Sequence, residues 1–181
     1  YSHSKRTNLF VNPQGIVADD DSYSKEGIAS AFVEYGRQIG KVSLQAGVRY
    51  EHVAFDYYIK NIHRKDMSRT TDDFFPSLGL SFPIGKVQMQ LGYAKDILRP
   101  SFSQLSGEVT YNNRYTYQTG NPLLLPMTTD NISLNAIYRW ASLSVGYQHI
   151  KNKVFYQSIP YSEDNPSVVL FSYTNQPAYD F

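Results

Sequence analysis

Between residues 74 and 93 the chain alternates strictly. Phe74, Pro76, Leu78, Leu80 and Phe82 fall on one face of an extended backbone, and Phe75, Ser77, Gly79 and Ser81 on the other. After Pro83-Ile84-Gly85-Lys86 the alternation resumes, with Val87, Met89, Leu91 and Tyr93 against Gln88, Gln90 and Gly92. Period two over this length specifies β-strands, and a short break containing glycine specifies a hairpin. Placing Phe82 opposite Val87 sets Leu80 against Met89, Leu78 against Leu91 and Pro76 against Tyr93.

The other face identifies the kind of sheet. A strand half-exposed to water usually carries Lys, Glu, Thr or Arg; here it carries Ser, Gly and Gln, which suit a crowded, wet enclosure. The strands also run to about ten residues, against roughly 5–6 in soluble sheets. Apolar outside, polar inside and roughly 9–11 residues per strand describe the wall of a transmembrane β-barrel. A soluble β-sandwich shows the same alternation and stands as the alternative.

Two further hairpins repeat the plan. In the first, Ala29, Ala31, Val33 and Tyr35 oppose Ser30 and Glu34, with Ile28 and Phe32 out of pattern. After a turn at 38–41, Val42, Leu44, Ala46, Val48 and Tyr50 oppose Ser43, Gln45, Gly47, Arg49 and Glu51. This register sets an inward Phe32 over Gly47. In the last hairpin, Ile132, Leu134, Ala136, Tyr138 and Trp140 oppose Asn131, Ser133, Asn135 and Arg139. Leu143, Val145 and Tyr147 then oppose Ser142, Ser144, Gly146 and Gln148, in a strand extending toward Gln157. Weaker strand patterns occupy 1–10 and 168–174. Asn12-Pro13-Gln14-Gly15 reads as a turn, Asp19 to Ser22 as a solvated loop, and 160–166 as a loop.

Short turns alternate with long loops, at 60–72 and irregularly over 98–129. That asymmetry marks outer-membrane barrels. The aromatics sort with it: Tyr35, Phe82, Tyr138 and Trp140 near the short turns, Tyr50, Tyr93 and Tyr147 toward the long loops, as two interfacial girdles. The expectation is an all-β, antiparallel, partial transmembrane barrel of seven or eight strands, with residues 1–181 as part of one outer-membrane domain. Sixteen Tyr and ten Phe in 181 residues fit such girdles. A net charge of +1 gives no footprint for nucleic acid, and the absence of cysteine excludes disulfides and thiolate metal sites.

Arg99-Pro100-Ser101-Phe102, followed by Tyr115-Thr116-Tyr117-Gln118-Thr119-Gly120-Asn121-Pro122 with Leu124 and Pro126, resembles the barrel region of TonB-dependent receptors of the Bacteroidetes type. Ala46 to Glu51 and Phe75 to Ser81 also resemble strands of that family, and the likeness spans about residues 24–175. It implies an outer-membrane protein taking up a nutrient (a glycan, peptide or metal chelate) through a plugged lumen. The implied partners are outer-membrane lipid, a plug domain and the TonB machinery. Such transporters have about 22 strands, so the chain reads as an internal barrel fragment, with plug and TonB-engaging segment outside it. A porin- or adhesin-type barrel without energy coupling, and a soluble carbohydrate-binding sandwich, are the alternatives.

Candidate ligand contacts are Tyr111, Arg114, Tyr115, Tyr117 and Gln118, where planar rings mix with hydrogen-bonding groups on the long loop. The competing reading packs these rings within the loop. Glu34, Arg49, Glu51 and Arg139 are expected to face the lumen, where charge is tolerated, pairing across strands or with a plug. Gly120-Asn121-Pro122 reads as a turn. Lys60, His63, Arg64, Lys65 and Arg69 form a basic loop able to meet anionic lipid. Asp19 to Asp21 lack regular calcium-ligand spacing, and His3, His52, His63 and His149 are scattered, so no metal site and no cofactor are expected. Neither His52 with Asp56 nor His149 with a nearby Ser makes a convincing catalytic set; no enzyme is expected.

Overall fold

The computed structural model describes residues 2–10, 20–162 and 167–180. Along them run β1 (Ser2–Phe10), β2 (Asp20–Ile39), β3 (Val42–Ile59), β4 (Ile62–His63), β5 (Arg69–Ile84), β6 (Val87–Leu98), α1 (Phe102–Leu105), β7 (Val109–Asn113), β8 (Thr116–Thr119), β9 (Met127–Tyr138), β10 (Ala141–Lys151), β11 (Val154–Pro160), β12 (Val169–Asn175) and β13 (Tyr179–Asp180). The main sheet runs β1-β2-β3-β5-β6-β9-β10-β13, with β4 beside β3. Its pairings are antiparallel throughout. This is the antiparallel partial wall that the alternation predicts. The predicted turn at 12–15, Asp19, residues 163–166 and Phe181 lie outside the described residues.

The hairpins are tighter than expected. Two-residue turns at 40–41, 85–86 and 139–140 join the strands. Gly40 and Gly85 hold φ of +59° and +58°, the left-handed backbone such turns require. Pro83 and Ile84 therefore stay in the ladder, and Ile84 rather than Phe82 faces Val87. Phe82 pairs with Met89, Leu80 with Leu91 and Leu78 with Tyr93. The displacement is two residues, so every side chain keeps its face. In β2, likewise, Phe32 lies opposite Arg49, and Glu34 faces Gly47. A Cβ on Gly47 would come 2.9 Å from Ser77 Oγ and 3.3 Å from Glu34 Cγ. Small and polar neighbours cover that glycine, not the Phe32 ring, which is 75% exposed.

Three strands are longer than the sequence pattern shows: 20, 18 and 16 residues in β2, β3 and β5. At ~3.3 Å per residue β3 spans about 60 Å, and at a tilt of ~40° it rises about 45 Å. A bilayer's hydrocarbon layer is ~30 Å thick, so strands of this length would continue well past one. Their sidedness changes on the way. From Val42 to Tyr50 the outer row of β3 is apolar or aromatic, while the inner row is Ser43, Gln45, Gly47 and Arg49. Beyond that, the outer row reads His52, Ala54, Asp56 and Tyr58, and the inner row Glu51, Val53, Phe55 and Tyr57 is buried. Leu44, Leu80, Leu91, Leu134 and Val145 form one continuous row across the outer face.

The cover over Phe55 and Tyr57 comes from the stretch 98–129, which is not irregular. It carries α1 and the β7–β8 hairpin, and these join β11 and β12 in a second sheet ordered β11-β12-β8-β7. The β10 strand ends at Lys151 rather than extending to Gln157, because Asn152 turns the chain with φ +57°. Phe55, Tyr57, Leu105 and Leu124 make the buried core, flanked by Ile59, Met67, Val154 and Tyr173. The inner face of the upper wall is thereby the seat of a folded insert. The 60–72 loop contracts to a turn at Lys60 and Asn61, both with positive φ, the short β4 and residues 64–68. Asp20 and Asp21 belong to β2, not to a loop.

Candidate functional site

The insert is fastened at one point by residues from three segments. Arg99, leaving β6, donates to Glu51 of β3, and Arg49 Nη1 lies 3.2 Å from the other carboxylate oxygen. The Glu51 side chain is 6% exposed, so its charge is matched where water is scarce. Pro100 ends the strand, and Ser101 caps α1. The Ser101 amide donates to Gln104 Oε1 (2.8 Å), and the Gln104 amide to Ser101 Oγ (3.4 Å). Such a reciprocal cap satisfies two orphan amides of the first turn.

Gly120-Asn121-Pro122 locks onto the far end of that turn. The Asn121 amide donates to Gln104 O (2.6 Å), and its side-chain amide to Tyr173 O (3.0 Å). Its side-chain oxygen accepts from the Leu123 amide (3.0 Å). A Cβ on Gly120 would stand 2.4–2.7 Å from the carbonyl oxygens of Ser103, Gln104 and Ser106, so no side chain fits there. Arg69, expected in the basic loop, turns inward, lies over the Phe55 ring at 4.7 Å and donates to Pro122 O (3.2 Å). Burial pulls its guanidinium below the usual arginine range.

The candidate ligand residues separate. Tyr117 is 7% exposed and packs between Tyr111 (5.6 Å) and Tyr161 (4.7 Å, edge-on). Tyr115 and Arg114 occupy the tip of the β7–β8 hairpin, both exposed, with the guanidinium 4.9 Å from the ring centroid. Gln118 lines a polar cleft of about 230 Å³ with Arg6, Ser103, Glu108, Thr110 and Tyr173 among others. Sequence reasoning missed Arg6, and it named Arg99 without its partner Glu51. The capping pattern Ser101-x-x-Gln104 was the available signal for the folded insert.

On the wall, Glu34 and Arg49 lie on the inner face, and Glu51 lies there beneath the insert. The charge pairing runs along β3 and to the insert instead of across neighbouring strands. Arg139 is in the turn, with φ +46° and its guanidinium 5.5 Å from the Tyr138 ring. Trp140, 90% exposed, shares that turn. Tyr35, Phe82 and Tyr138 line the outer face near the short turns. The other three tyrosines end the apolar zone in one repeated arrangement. Tyr50 donates to Asp72 (2.5 Å), Tyr93 to Asp130 (2.8 Å) and Tyr147 to Asp180 (2.6 Å). Each carboxylate also faces a basic residue two beyond the tyrosine: His52 (2.8 Å), Lys95 by register and His149 (2.5 Å). His52 thus pairs with Asp72, not Asp56, whose partner is His63 (3.1 Å). In the loop, Arg64 and Asp66 form a two-bond pair that holds the carboxyl below its ordinary range. Among the described residues, no group of three His, Asp or Glu is arranged to hold a metal ion.

A sequence profile described as the outer membrane protein β-barrel family matches residues 4–179. The chain belongs to that family. The protein accordingly resides in the outer membrane. Solved structures of similar fold include the siderophore receptor PirA from Pseudomonas aeruginosa, with a TM-score of 0.52 and 14% identity over 89% of this chain and 38% of that one. A mutant ferric enterobactin receptor PfeA from the same organism, in complex with enterobactin, has a TM-score of 0.52 and 16% identity over 98% and 36%. The chain therefore spans well under half the length of the receptors it resembles. A comparison with curated proteins found no match.

Proposed function

We propose that this chain forms wall and extracellular mouth of a TonB-dependent receptor, which takes up a small oxygen-rich nutrient through a plugged lumen. The observation that carries this reading is the insert itself, folded onto the inner face of the upper wall and leaving a polar cleft beside it. Below the insert the inner face is small and polar, with Ser43, Gln45, Ser77, Ser81, Gln90, Ser133 and Asn135, as a hydrated path or plug contact requires. Tyr115 and Arg114 at the hairpin tip, with Gln118 and Arg6 in the cleft, combine a flat ring, cations and an amide. That chemistry recognises planar, anionic or hydroxyl-rich ligands such as a metal chelate, ahead of a glycan or peptide.

The test is accumulation of a radiolabelled ferric chelate by cells making the full-length protein, with and without a protonophore. Energy-dependent uptake, weakened several-fold by Tyr115→Ala with Arg114→Ala at unchanged protein level, is expected. Uptake that ignores the protonophore, together with steady ion conductance in planar bilayers, overturns the reading in favour of a passive barrel.

A further inference from the structure

Three basic residues of the outer collar each face a carboxylate: His52 faces Asp72, Lys95 faces Asp130 and His149 faces Asp180. The corner formed by β1, β2 and β3 breaks the rule. There Lys5 and Lys25 stand directly opposite each other on the outward face. Like charges in that position repel. Asp56 is the next residue across, but its carboxylate is turned to His63. Among the described residues, neither ammonium lies within ion-pair distance of a carboxylate. Both instead rest on tyrosine faces: Lys5 at 4.9 Å from Tyr23, and Lys25 at 5.7 Å from Tyr23 and 5.2 Å from Tyr58. These two rings are stacked at 4.5 Å and 9°, with the His63 ring 4.9 Å beyond.

The height of this corner matters. Lys25 pairs with Asp56, six residues past Tyr50 on β3. At ~3.3 Å per residue and a tilt of ~40° that places it roughly 15 Å outside the upper aromatic girdle. It is still on the side of the wall that faces membrane, above the acyl chains and level with the sugars that glycolipids of the outer leaflet project.

We propose that this corner docks the anionic saccharide headgroup of an outer-leaflet glycolipid. The two lysines take a phosphate or sugar carboxylate between them, which relieves their repulsion, while the stacked Tyr23–Tyr58 pair holds their stems in place beside it. The site is on the outside of the wall and does not depend on what passes through the lumen.

The test uses full-length protein purified in detergent, with three probes: a phosphorylated lipid A–core glycolipid in mixed micelles, phosphatidylglycerol in the same micelles, and inorganic phosphate. The Lys5→Gln/Lys25→Gln variant should retain about tenfold less glycolipid than the parent. Lys5→Arg/Lys25→Arg should keep it, and Lys86→Gln, at the opposite end of the wall, should change nothing. Unaltered heat-modifiable mobility on gels certifies the fold of each variant. Equal glycolipid retention by the Gln variant overturns the proposal. So does phosphatidylglycerol or phosphate binding as strong as the glycolipid's, which reduces the corner to a general anion contact.

Discussion

Glu51 is the residue on which the upper structure turns. Its carboxylate is nearly sealed from water and accepts from Arg99 and Arg49. Arg49 is half in solvent and sits 5.0 Å over the Phe75 ring, so it has a second support. Arg99 has its anchor in Glu51. Removing Arg99 leaves the sealed carboxylate with one unsatisfied oxygen and only half-exposed Arg49 as partner, at about 1–3 kcal/mol, whereas removing both Arg99 and Glu51 with apolar replacements is often neutral. Arg99→Ala should therefore loosen the insert far more than Arg99→Met/Glu51→Leu. Protease cleavage within 106–125 reads the difference, and the two variants behaving alike would deny the pair its anchoring role. The pair was hard to find from sequence. Alternation puts Glu51 on the inner row, but nothing local says that a residue 48 positions later returns to meet it.

At the scale of elements, legibility followed period. The wall strands were readable because side chains alternate over whole segments, and an even slip in the hairpin register left every face assignment intact. The insert was unreadable for the opposite reason. Its strands are four to seven residues long, β8 pairs in parallel with a strand 50 residues away, and α1 is a single turn. Pairings so short and distant leave no periodic signature. What remained visible were the two fixed elements, Arg-Pro-Ser and Gly-Asn-Pro, and the structure explains both. One opens α1 and the other closes against its end, so they are halves of one fastening. Gly120 is where they meet. The three oxygens its Cβ would strike belong to backbone, which cannot rotate aside as a side chain would. Gly120→Ala should thus cost about 1–3 kcal/mol of local stability, seen as faster amide exchange at Asn121 and Leu124, whose amides are bonded inside this fastening. Gly36→Ala, on open wall with nothing within 4 Å of its Cβ, is the matched control. Equal exchange in the two variants would remove the close approach as an explanation.

Taken whole, the molecule is one sheet in two solvents. Within the membrane its outer side must be apolar because hydrocarbon offers no hydrogen bonds, and its inner side polar because water or protein fills the lumen. Past Tyr50 the outer row carries His52, Asp56 and Tyr58, the inner row is buried beneath the insert, and the pattern reverses. A single strand obeys both rules by changing which parity carries the apolar residues. The lower half of that scheme is testable with neighbours in one strand. Leu91 belongs to the outer leucine row, and Gln90 faces inward beside Ser81 and Asn135. Arginine at a lipid-facing midplane position costs about 2–4 kcal/mol, and far less in a wet lumen. In lipid vesicles, Leu91→Arg should lower the urea midpoint of the full-length barrel clearly, while Gln90→Arg leaves it nearly in place. Equal losses would mean that both faces of β6 meet the same medium. A larger loss from Gln90→Arg would turn the wall inside out.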